Sequence, residues 1–225
     1  MAQAPGTGTD PGSVPLLVAC ALGIEHVALR SGGGRRTLRQ AGGAVSVLRT
    51  GMGPKAAERA VARALRAASP ATAVLATGFC AGLVPGMHPG DLVVAERTED
   101  AAGSTSCSAT AALAAALART IPGRTVHTGV LAGSDHVVRG PERATLRETG
   151  AVAVDMESAA TLRTARAESA AATRPVAAVR VVVDAPEHEL VRIGTVSGGI
   201  SAFRVLRAVL PAFSEWHRTF LLPRR

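Results

Sequence analysis

Carboxylates follow two apolar, strand-like runs in this sequence. A run that begins at Ala151 ends in Asp155 and Glu157, and a more strongly β-branched run from Val176 stops at Asp184. Runs of this length and composition predict buried strands. In open α/β sheets ligands bind at the carboxyl ends of strands, so the sequence predicts a ligand site around these acids.

Three acids differ in how readily a purely structural role explains them. Asp155 precedes a helical pattern, where an Asp is a natural N-cap. Glu25 follows the first strand-like run, and an acid in the first turn of a helix is favoured by the helix dipole. Glu157 lies beside a strand end in apolar surroundings, where an unpaired carboxylate is costly unless a partner or a ligand satisfies it. Glu157 is therefore the hardest of the three to explain without a ligand.

A glycine-rich turn, Gly51-Met52-Gly53, follows a strand-like run and opens a helical pattern. It partly matches the dinucleotide-binding fingerprint. That fold requires an acidic residue about 20 residues further on, whereas the next predicted strand ends in Thr77-Gly78 without one. Two interpretations stay open. The glycines let a ligand approach the amides at a helix N-terminus, or they merely form a tight turn.

A second small-residue segment begins at Thr77 and contains Gly78 and Phe79; we interpret it as another turn after a strand. Close packing of a loop against a sheet explains it as well as ligand binding does. If both glycine-rich segments lie at the sheet edge that carries Glu157 and Asp184, their backbone groups form the floor of a pocket beneath the carboxylates.

Two further segments are interpreted as loops that bind neither a phosphate nor a metal. The glycines and arginines of residues 31–36 could bind phosphate, but a flexible connection before the second strand is favoured. His188, between Glu187 and Glu189, is interpreted as a solvated loop residue, and no two histidines show metal-ligand spacing. We therefore expect neither a metal nor a cofactor.

Strand-like and helical patterns alternate along the chain. The predicted strands are residues 16–21, 44–49, 73–77, 91–95, 125–131, 152–155 and 176–183. The predicted helices are residues 54–68, 107–120, 141–149, 157–168 and 201–217. This alternation predicts an α/β fold with three layers, αβα, around a central mixed, largely parallel twisted sheet. The helix-free link between residues 77 and 91 indicates that part of the sheet is antiparallel or sharply bent.

The length and composition are those of one domain. Of the 225 residues, residues 14–225 are expected to form a single domain and residues 1–13, rich in Ala, Pro, Gly and Thr, a disordered leader. The three cysteines lack metal-ligand spacing, which predicts reduced thiols and a cytoplasmic protein. The first apolar run is too short to span a bilayer and lacks the basic region of a signal peptide.

The formal net charge is +8, which admits anionic partners. The arginines are spread over helical patterns without interleaved aromatics that could stack bases, which disfavours nucleic acid. The last helical pattern carries Phe203, Phe213, Trp216 and Phe220 at helical spacing, beside several arginines. Packing in a core or a dimer explains such a stripe, and so does peripheral contact with the inner membrane face; both readings stay open.

Seven short motifs occur in a fixed order along most of the chain. They are Leu22-Gly23-Ile24-Glu25, Thr50-Gly51-Met52-Gly53, Ala76-Thr77-Gly78-Phe79-Cys80-Ala81-Gly82, Pro89-Gly90-Asp91-Leu92-Val93-Val94, Gly133-Ser134-Asp135, Val154-Asp155-Met156-Glu157 and Val179-Arg180-Val181-Val182-Val183-Asp184. Together they resemble the nucleoside phosphorylase and nucleosidase superfamily, on the side of the methylthioadenosine/S-adenosylhomocysteine nucleosidases. The third motif and residues 184–198 most resemble the hopanoid-associated branch, whose proposed substrate is adenosylhopane.

The resemblance implies roles for three acids. Asp184 would protonate or hydrogen-bond N7 of the leaving purine, Glu25 would position the attacking water, and Glu157 would bind the ribose hydroxyls. Cleavage of an N-glycosidic bond develops positive charge on the sugar and negative charge on the base, so an acid at the base and carboxylates near the ribose suit this reaction. Asp184 is then expected to be protonated, or to share a proton, while Glu25 accepts one from water.

The same resemblance implies a substrate site. Its residues are Met52, Gly53, Gly78, Phe79, Val137, Val138 and Met156. Met156 would pack under the sugar, Val137 would contact the face of the base, the backbone near Val138 would read its edge, and Met52 would approach the 5′ substituent.

Departures from the family pattern bear on the reaction. Phosphorylases of the superfamily have an arginine and a serine where this chain has Ala76 and Phe79, so part of a phosphate-binding site is missing and hydrolysis is favoured. Arg30 or residues 35–36, from a neighbouring subunit, could still bind phosphate. Val183 replaces the hydroxyl residue that usually precedes the catalytic aspartate, which implies looser or rearranged base recognition.

We therefore expect a cytoplasmic, homodimeric nucleosidase that releases adenine from a 5′-modified adenosine, with adenosylhopane as the leading substrate. The alternatives are a methylthioadenosine/S-adenosylhomocysteine nucleosidase and a phosphate-dependent purine nucleoside phosphorylase. A non-catalytic nucleoside-binding or membrane-surface module is the alternative outside the enzymes.

Overall fold

The computed structural model describes residues 15–31, 33–41, 44–169, 174–186 and 195–221. The expected leader, residues 1–13, and His188 with its two neighbouring glutamates lie outside the described residues.

Strands and helices alternate through the described residues, as the sequence predicted. The strands are β1 (Leu16–Cys20), β2 (Val45–Arg49), β3 (Ala73–Gly82), β4 (Leu92–Asp100), β5 (Gly103–Ser106), β6 (Val126–Gly133), β7 (Ala151–Asp155) and β8 (Val176–Asp184). The helices are α1 (Gly23–Arg30), α2 (Gly33–Gln40), α3 (Pro54–Arg66), α4 (Thr110–Thr120), α5 (Pro141–Glu148), α6 (Ser158–Ala167), α7 (Thr195–Leu206) and α8 (Leu210–Arg218).

The sheet is mixed, and five of its strands close on themselves. Strand β3 pairs in parallel with β1 and β8, β8 pairs antiparallel with β4, and β4 pairs in parallel with β6. Strand β6 pairs in parallel with β7, whose end pairs antiparallel with the end of β3. The ring β3-β8-β4-β6-β7 therefore brings the carboxyl ends of β3, β7 and β8 together. The antiparallel pairings confirm that part of the sheet is antiparallel, as the link between residues 77 and 91 indicated.

Helices cover both faces of the sheet, which confirms the three-layer αβα architecture. Alternate residues of β1 point to opposite faces: Leu16 and Val18 pack with α4, α7 and α8, whereas Leu17 and Ala19 pack with α3 and α6. None of the helices in the described ranges is long and apolar enough to cross a membrane.

Three local predictions were wrong. Residues 33–40 form helix α2 instead of a flexible connection, because Leu38 packs on the core and tertiary packing overrides the low helix propensity of glycine. The segment from Thr77 to Gly82 continues strand β3 instead of turning. The expected last helix is two helices, and the second begins with Pro211 in its first turn, where a proline is tolerated but cannot continue a preceding helix.

The aromatic stripe of the C-terminal helices belongs to the core. Phe213 and Trp216 are fully buried, and the Trp216 indole N–H donates to the carbonyl of Ser108 at 2.9 Å. The ring of Phe220 meets that of Trp216 edge to face, with 5.0 Å between centroids. Of the two readings left open by the sequence, the packing of these side chains supports a protein core and not a membrane surface.

The three cysteines are free thiols; Cys20 and Cys80 are buried, and Cys107 is partly exposed. Burial raises the pKa of Cys20 to about 12 and that of Cys107 to about 11. Both thiols therefore stay protonated and unreactive at neutral pH.

Candidate active site

A cleft of about 200 Å³ opens where the ends of β1, β3, β7 and β8 meet. Eight of the ten residues that the sequence analysis assigned to a site line it: Glu25, Met52, Phe79, Val137, Val138, Met156, Glu157 and Asp184. The other two, Gly53 and Gly78, lie directly behind the lining and contact its glutamates.

Glu25 is fixed by backbone amides at the start of helix α1. Its Oε2 accepts the N–H groups of Ala21 and Leu22 at 2.9 and 2.8 Å, and its Oε1 accepts the N–H of Phe79 at 2.8 Å. A carboxylate offers about four acceptor positions, so one remains for a further donor. The side chain is 2% exposed, and it is therefore a rigid, buried acceptor facing the cleft.

Gly78 makes this position of Glu25 possible. A Cβ atom on Gly78 would lie 2.5 Å from Oε1 of Glu25 and 2.6 Å from Nη1 of Arg180, and its φ of +138° is rarely adopted by other residues. The glycine thus lets two buried side chains approach strand β3.

Glu157 lies at the entry of helix α6, and the first glycine-rich turn holds it. Its Oε1 accepts the N–H of Gly53 at 2.8 Å, which shows that this turn does direct an amide at a carboxylate. Burial raises the pKa of Glu157, and the nearby carboxylate of Asp155 raises it further, against the opposing effect of Arg180. Unlike Glu25, it keeps most of its acceptor positions for other donors.

Arg180 organises the carboxylates and was missed by the sequence analysis. Its side chain is 1% exposed; Nε donates to Oγ of Ser158 at 2.9 Å and Nη1 to the carbonyl of Thr77 at 2.9 Å. Nη2 forms an ion pair with Asp155 and lies 4.0 Å from Oε2 of Glu157. Burial by itself would lower the pKa of Arg180, but the carboxylates raise it overall. The signal was an arginine in the middle of an otherwise apolar strand.

Asp155 is structural, as the capping interpretation implied, but its main partner is Arg180. Both of its carboxylate oxygens also accept the N–H of Ser158, at 3.3 and 3.1 Å, which satisfies a free amide at the start of α6. With these contacts the carboxylate of Asp155, whose side chain is 1% exposed, is occupied from inside the protein.

Asp184, the last residue of β8, also lines the cleft and is paired with an arginine that the sequence analysis missed as well. Arg143, in the first turn of α5, donates from Nη2 to Oδ2 of Asp184 and from Nε to the carbonyl of Val138 at 3.2 Å. The two side chains are 11% and 6% exposed. The backbone near Val138 was expected to read the edge of a base, and the Val138 carbonyl is engaged by Arg143.

The mouth of the cleft is apolar on two sides and carries one charged cluster. Met52 and Val137 line the cleft and are 64% and 58% exposed. His136 lies between Asp135 and Glu142, with contacts of 2.7 and 3.0 Å, and its hydrogen bonds to these carboxylates raise its pKa.

Among the described residues, the cleft offers no cluster of metal ligands, and the amides around Glu25 are not free to bind an anion. In the part of the chain that the structure describes, no group of three or more His, Cys, Asp or Glu side chains could hold a metal ion. Arg30, Arg35 and Arg36 are exposed and do not line the cleft. The amides of Ala21, Leu22 and Phe79, which could have bound an anion, are taken by Glu25.

The comparisons with known proteins agree on one fold. A family model described as the phosphorylase superfamily matches residues 7–210, whereas no curated protein matches the chain. A methylthioadenosine/S-adenosylhomocysteine nucleosidase of Neisseria meningitidis, solved with methylthio-immucillin-A, is 22% identical with a TM-score of 0.72, covering 90% of this chain and 99% of that one. The corresponding nucleosidase of Streptococcus pneumoniae, solved with 8-aminoadenine, is 20% identical with a TM-score of 0.69, covering 90% and 99%. Futalosine hydrolase of Helicobacter pylori, in a mutant form, is 16% identical with a TM-score of 0.70, again covering 90% and 99%. At these identities the similarity establishes a common fold.

Proposed function

Because the chain belongs to the phosphorylase superfamily, we propose that it is a nucleosidase that hydrolyses the N-glycosidic bond of a 5′-modified adenosine and releases adenine. The observation that carries this proposal is the meeting of Glu25, Glu157 and Asp184 around one cleft, whose lining also includes Met156. The three acids come from distant parts of the chain.

The geometry suits separate tasks for the acids. Glu25 has one acceptor position left beside three amide hydrogen bonds, which suits the orientation of one water and the acceptance of its proton. Glu157 keeps acceptor positions for the two hydroxyl donors of a ribose, and its negative charge stabilises the cationic sugar of the transition state. Asp184 contacts the leaving purine.

Occupied amides favour water over phosphate as the nucleophile. A phosphate beside Glu25 would face a buried carboxylate and find the nearby backbone donors already used, and like charges at short range repel. Arg180, the buried cation of this region, is engaged by Asp155, Ser158 and Thr77. Phosphorolysis would need a cation beside Glu25 other than Arg180.

An apolar mouth supports an apolar 5′ substituent. Met52 and Val137 expose more than half of their surface at the rim, and exposed apolar surface at a site marks where an apolar group binds. We propose adenosylhopane as the leading substrate. Methylthioadenosine, whose substituent is also apolar but small, is the second candidate.

The decisive experiment is an assay of purified protein with adenosine, 5′-methylthioadenosine and a lipid-linked adenosine, with and without phosphate. We expect free adenine and free sugar without phosphate, and loss of turnover in Asp184→Leu. Strict dependence on phosphate would make the protein a phosphorylase. Binding of the nucleosides without any turnover would make it a binding module.

A further inference from the structure

Exposed large apolar side chains concentrate at the mouth of the cleft and on helix α1. Among the described residues six such side chains are exposed, and four of them are Ile24, Val27, Met52 and Val137. Met52 and Val137 line the cleft itself. Ile24 and Val27 belong to α1 and are 55% and 58% exposed, and their spacing of three residues places them on one face of that helix. A cluster of this kind marks an interaction surface.

Helix α1 borders the mouth of the cleft directly. Leu22, which immediately precedes the helix, lines the cleft. The N–H of Gly51 donates to the carbonyl of Ala21 at 3.2 Å, and this contact holds the turn that carries Met52 beside the start of α1. The exposed apolar side chains of α1 and those of the mouth are therefore neighbours on the surface.

The same part of the chain carries unpaired positive charge. Between residues 22 and 49 the only acid is Glu25, which is buried. Five arginines of this segment are exposed: Arg30, Arg35, Arg36, Arg39 and Arg49. None of these five forms an ion pair within the described part of the chain, whereas Arg97, Arg119 and Arg163 each pair with a carboxylate. The surface around α1 therefore lacks compensating acids from its own segment.

The arginines flank the aliphatic side chains of α1. Nη1 of Arg49 lies 3.5 Å from the position that a Cβ on Gly23 would take, at the start of the helix. Burial lowers the pKa of His26, and the charges of Arg30 and Arg49 lower it further, so the middle of α1 lies in a positive potential. A groove along α2 is lined by Arg35, Arg36 and Arg39.

Aliphatic side chains flanked by arginines suit the surface of an anionic bilayer. Helices that lie in a membrane interface combine an apolar face with basic side chains. Each arginine near an anionic lipid surface strengthens binding by about fivefold. A nucleic acid matches this surface less well, because α1 and α2 contain no Phe, Tyr or Trp that could stack a base.

We propose that the exposed surfaces of α1 and α2 form a docking site for anionic lipid bilayers, with Ile24 and Val27 in the interface and the arginines against the headgroups. This docking site is distinct from the aromatic stripe of the C-terminal helices, which is buried in the core. The mouth of the cleft then opens close to the bilayer. On the basis of the proposed function, a nucleoside can enter the cleft while its apolar 5′ substituent stays in the lipid.

The test measures sedimentation of the full chain with vesicles of phosphatidylglycerol and phosphatidylcholine, compared with vesicles of phosphatidylcholine alone. Two triple variants each remove three exposed arginines: Arg35→Gln/Arg36→Gln/Arg39→Gln on α2 and Arg59→Gln/Arg63→Gln/Arg66→Gln on α3. Helix α3 packs on the opposite face of the sheet from α1 and α2. The two variants therefore separate the docking surface from net charge alone, and thermal unfolding confirms that each keeps its fold.

Wild type should bind the anionic vesicles and bind the neutral vesicles far more weakly. The α2 variant should lose about 100-fold in affinity, from about fivefold for each arginine, and the α3 variant should stay close to wild type. Ile24→Gln/Val27→Gln should weaken the binding that remains at high salt, where charges are screened and apolar contacts are not. Equal losses in the two triple variants, or no binding of wild type to the anionic vesicles, would overturn the proposal.

An indole placed on α1 locates the contact. In the Trp216→Phe background, Val27→Trp should show emission at shorter wavelength and less quenching by iodide when anionic vesicles are added. Arg63→Trp, on α3, should show neither change. A response of both reporters, or of neither, would contradict docking through α1.

Two other partners would give different results. A single-stranded oligonucleotide that binds more tightly than the anionic vesicles, and that loses affinity for the α2 variant, would assign the surface to nucleic acid and overturn the proposal. Sedimentation velocity tests the second alternative. A dimer that dissociates in Ile24→Gln/Val27→Gln, together with no vesicle binding by wild type, would make the surface an interface between copies of the chain.

Turnover tests the link between docking and the substrate. The α2 variant should retain the kcat/KM of wild type on dissolved methylthioadenosine and lose most of it on a lipid-linked adenosine carried in anionic vesicles. Equal kcat/KM of the two proteins on the vesicle-borne nucleoside would overturn entry of the substrate from the bilayer. Absence of any turnover by wild type would overturn the proposed nucleosidase, whereas vesicle binding still decides the docking site.

Discussion

The guanidinium of Arg180, on β8, forms an ion pair with the carboxylate of Asp155 at the end of β7, and each side chain is only 1% exposed. These strands are not paired with each other; β3 lies between them on one side of the ring, and β4 and β6 lie between them on the other. The pair therefore joins two strands at whose carboxyl ends Glu157 and Asp184 line the cleft. Its loss should affect both stability and the site.

Arg180→Met should be strongly destabilising, because it leaves buried carboxylates without their cation. Breaking a buried pair by removal of one partner typically costs about 3–5 kcal/mol of the free energy of unfolding. Urea denaturation measures the loss. Arg163→Met is the matched control, since Arg163 pairs with Asp100 at 2.7 Å but is 35% exposed, and such a pair contributes about 1 kcal/mol or less.

The double variant Arg180→Met/Asp155→Leu separates the buried charge from the packing. Replacement of both members by apolar groups removes the uncompensated carboxylate, so the double variant should be more stable than Arg180→Met alone. If Arg180→Met costs no more than Arg163→Met, the ion pair does not organise this part of the fold.

Glu157→Gln should change how stability depends on pH. The pKa of Glu157 is raised on folding, above its ordinary value of 4.5, chiefly by burial. The folded protein therefore holds a proton that the unfolded chain has lost. This contribution to the free energy of unfolding is fully present below pH 4.5 and is lost as the pH rises through the pKa of the folded protein. The loss is about 1.4 kcal/mol for each pH unit that separates the pKa values of the folded and unfolded states.

The glutamine variant lacks this loss, so its stability should fall less than that of wild type between about pH 4 and pH 8 in urea denaturation. The same substitution removes the charged acceptor proposed for the ribose hydroxyls, and kcat/KM should drop by about 10–150-fold, as for a hydrogen bond to a charged group worth 1.5–3 kcal/mol. Parallel pH profiles of the two proteins would contradict the raised pKa.

Much of the site followed from simple features of the sequence, because strands that end in acids are local patterns. Glu25, Glu157 and Asp184 each lie at or just after a strand end and line one cleft. Arg180 carried a local signal too, as a charge within a buried strand, yet its partners, Thr77 and residues 155–158, come from two distant segments. Their identity depends on how the sheet closes.

Arg143 and helix α2 show what local patterns leave out. Arg143 lies in a helix without fully buried residues, so nothing in its surroundings distinguishes it from solvated arginines such as Arg147. Its partner Asp184 is 41 positions away, and only the tertiary fold brings them together. Helix α2 begins with two glycines, and its contacts with α8 stabilise it in place of propensity.

Gly78→Ala should damage the site through a collision and not only through backbone strain. The added Cβ would lie 2.5 Å from the carboxylate of Glu25, and the carboxylate is fixed by three amides. Gly103→Ala is a close control, because Gly103 has a φ of +133° but no atom within 4 Å of an added Cβ.

Both variants carry backbone strain of about 1–3 kcal/mol, measured as a loss in the free energy of unfolding. Gly78→Ala should lose more stability than Gly103→Ala and should alone lose turnover, because Glu25 must move. Equal stability losses with retained activity in both would show that Glu25 does not depend on the space at Gly78.

Trp216 gives a direct optical test of where the C-terminal aromatic stripe packs. It is the only tryptophan in a chain without tyrosine, so intrinsic fluorescence reports this side chain alone. Because Trp216 is fully buried beside Phe220 and hydrogen-bonded to Ser108, we expect emission at short wavelength and little quenching by iodide. Anionic vesicles should change neither, and urea should shift the emission to longer wavelength as the domain unfolds. A Trp216→Phe/Val27→Trp variant is the control, since residue 27 is 58% exposed and its indole should be quenched readily. Strong iodide quenching of Trp216 that vesicles suppress would show that the stripe faces a membrane and not the core.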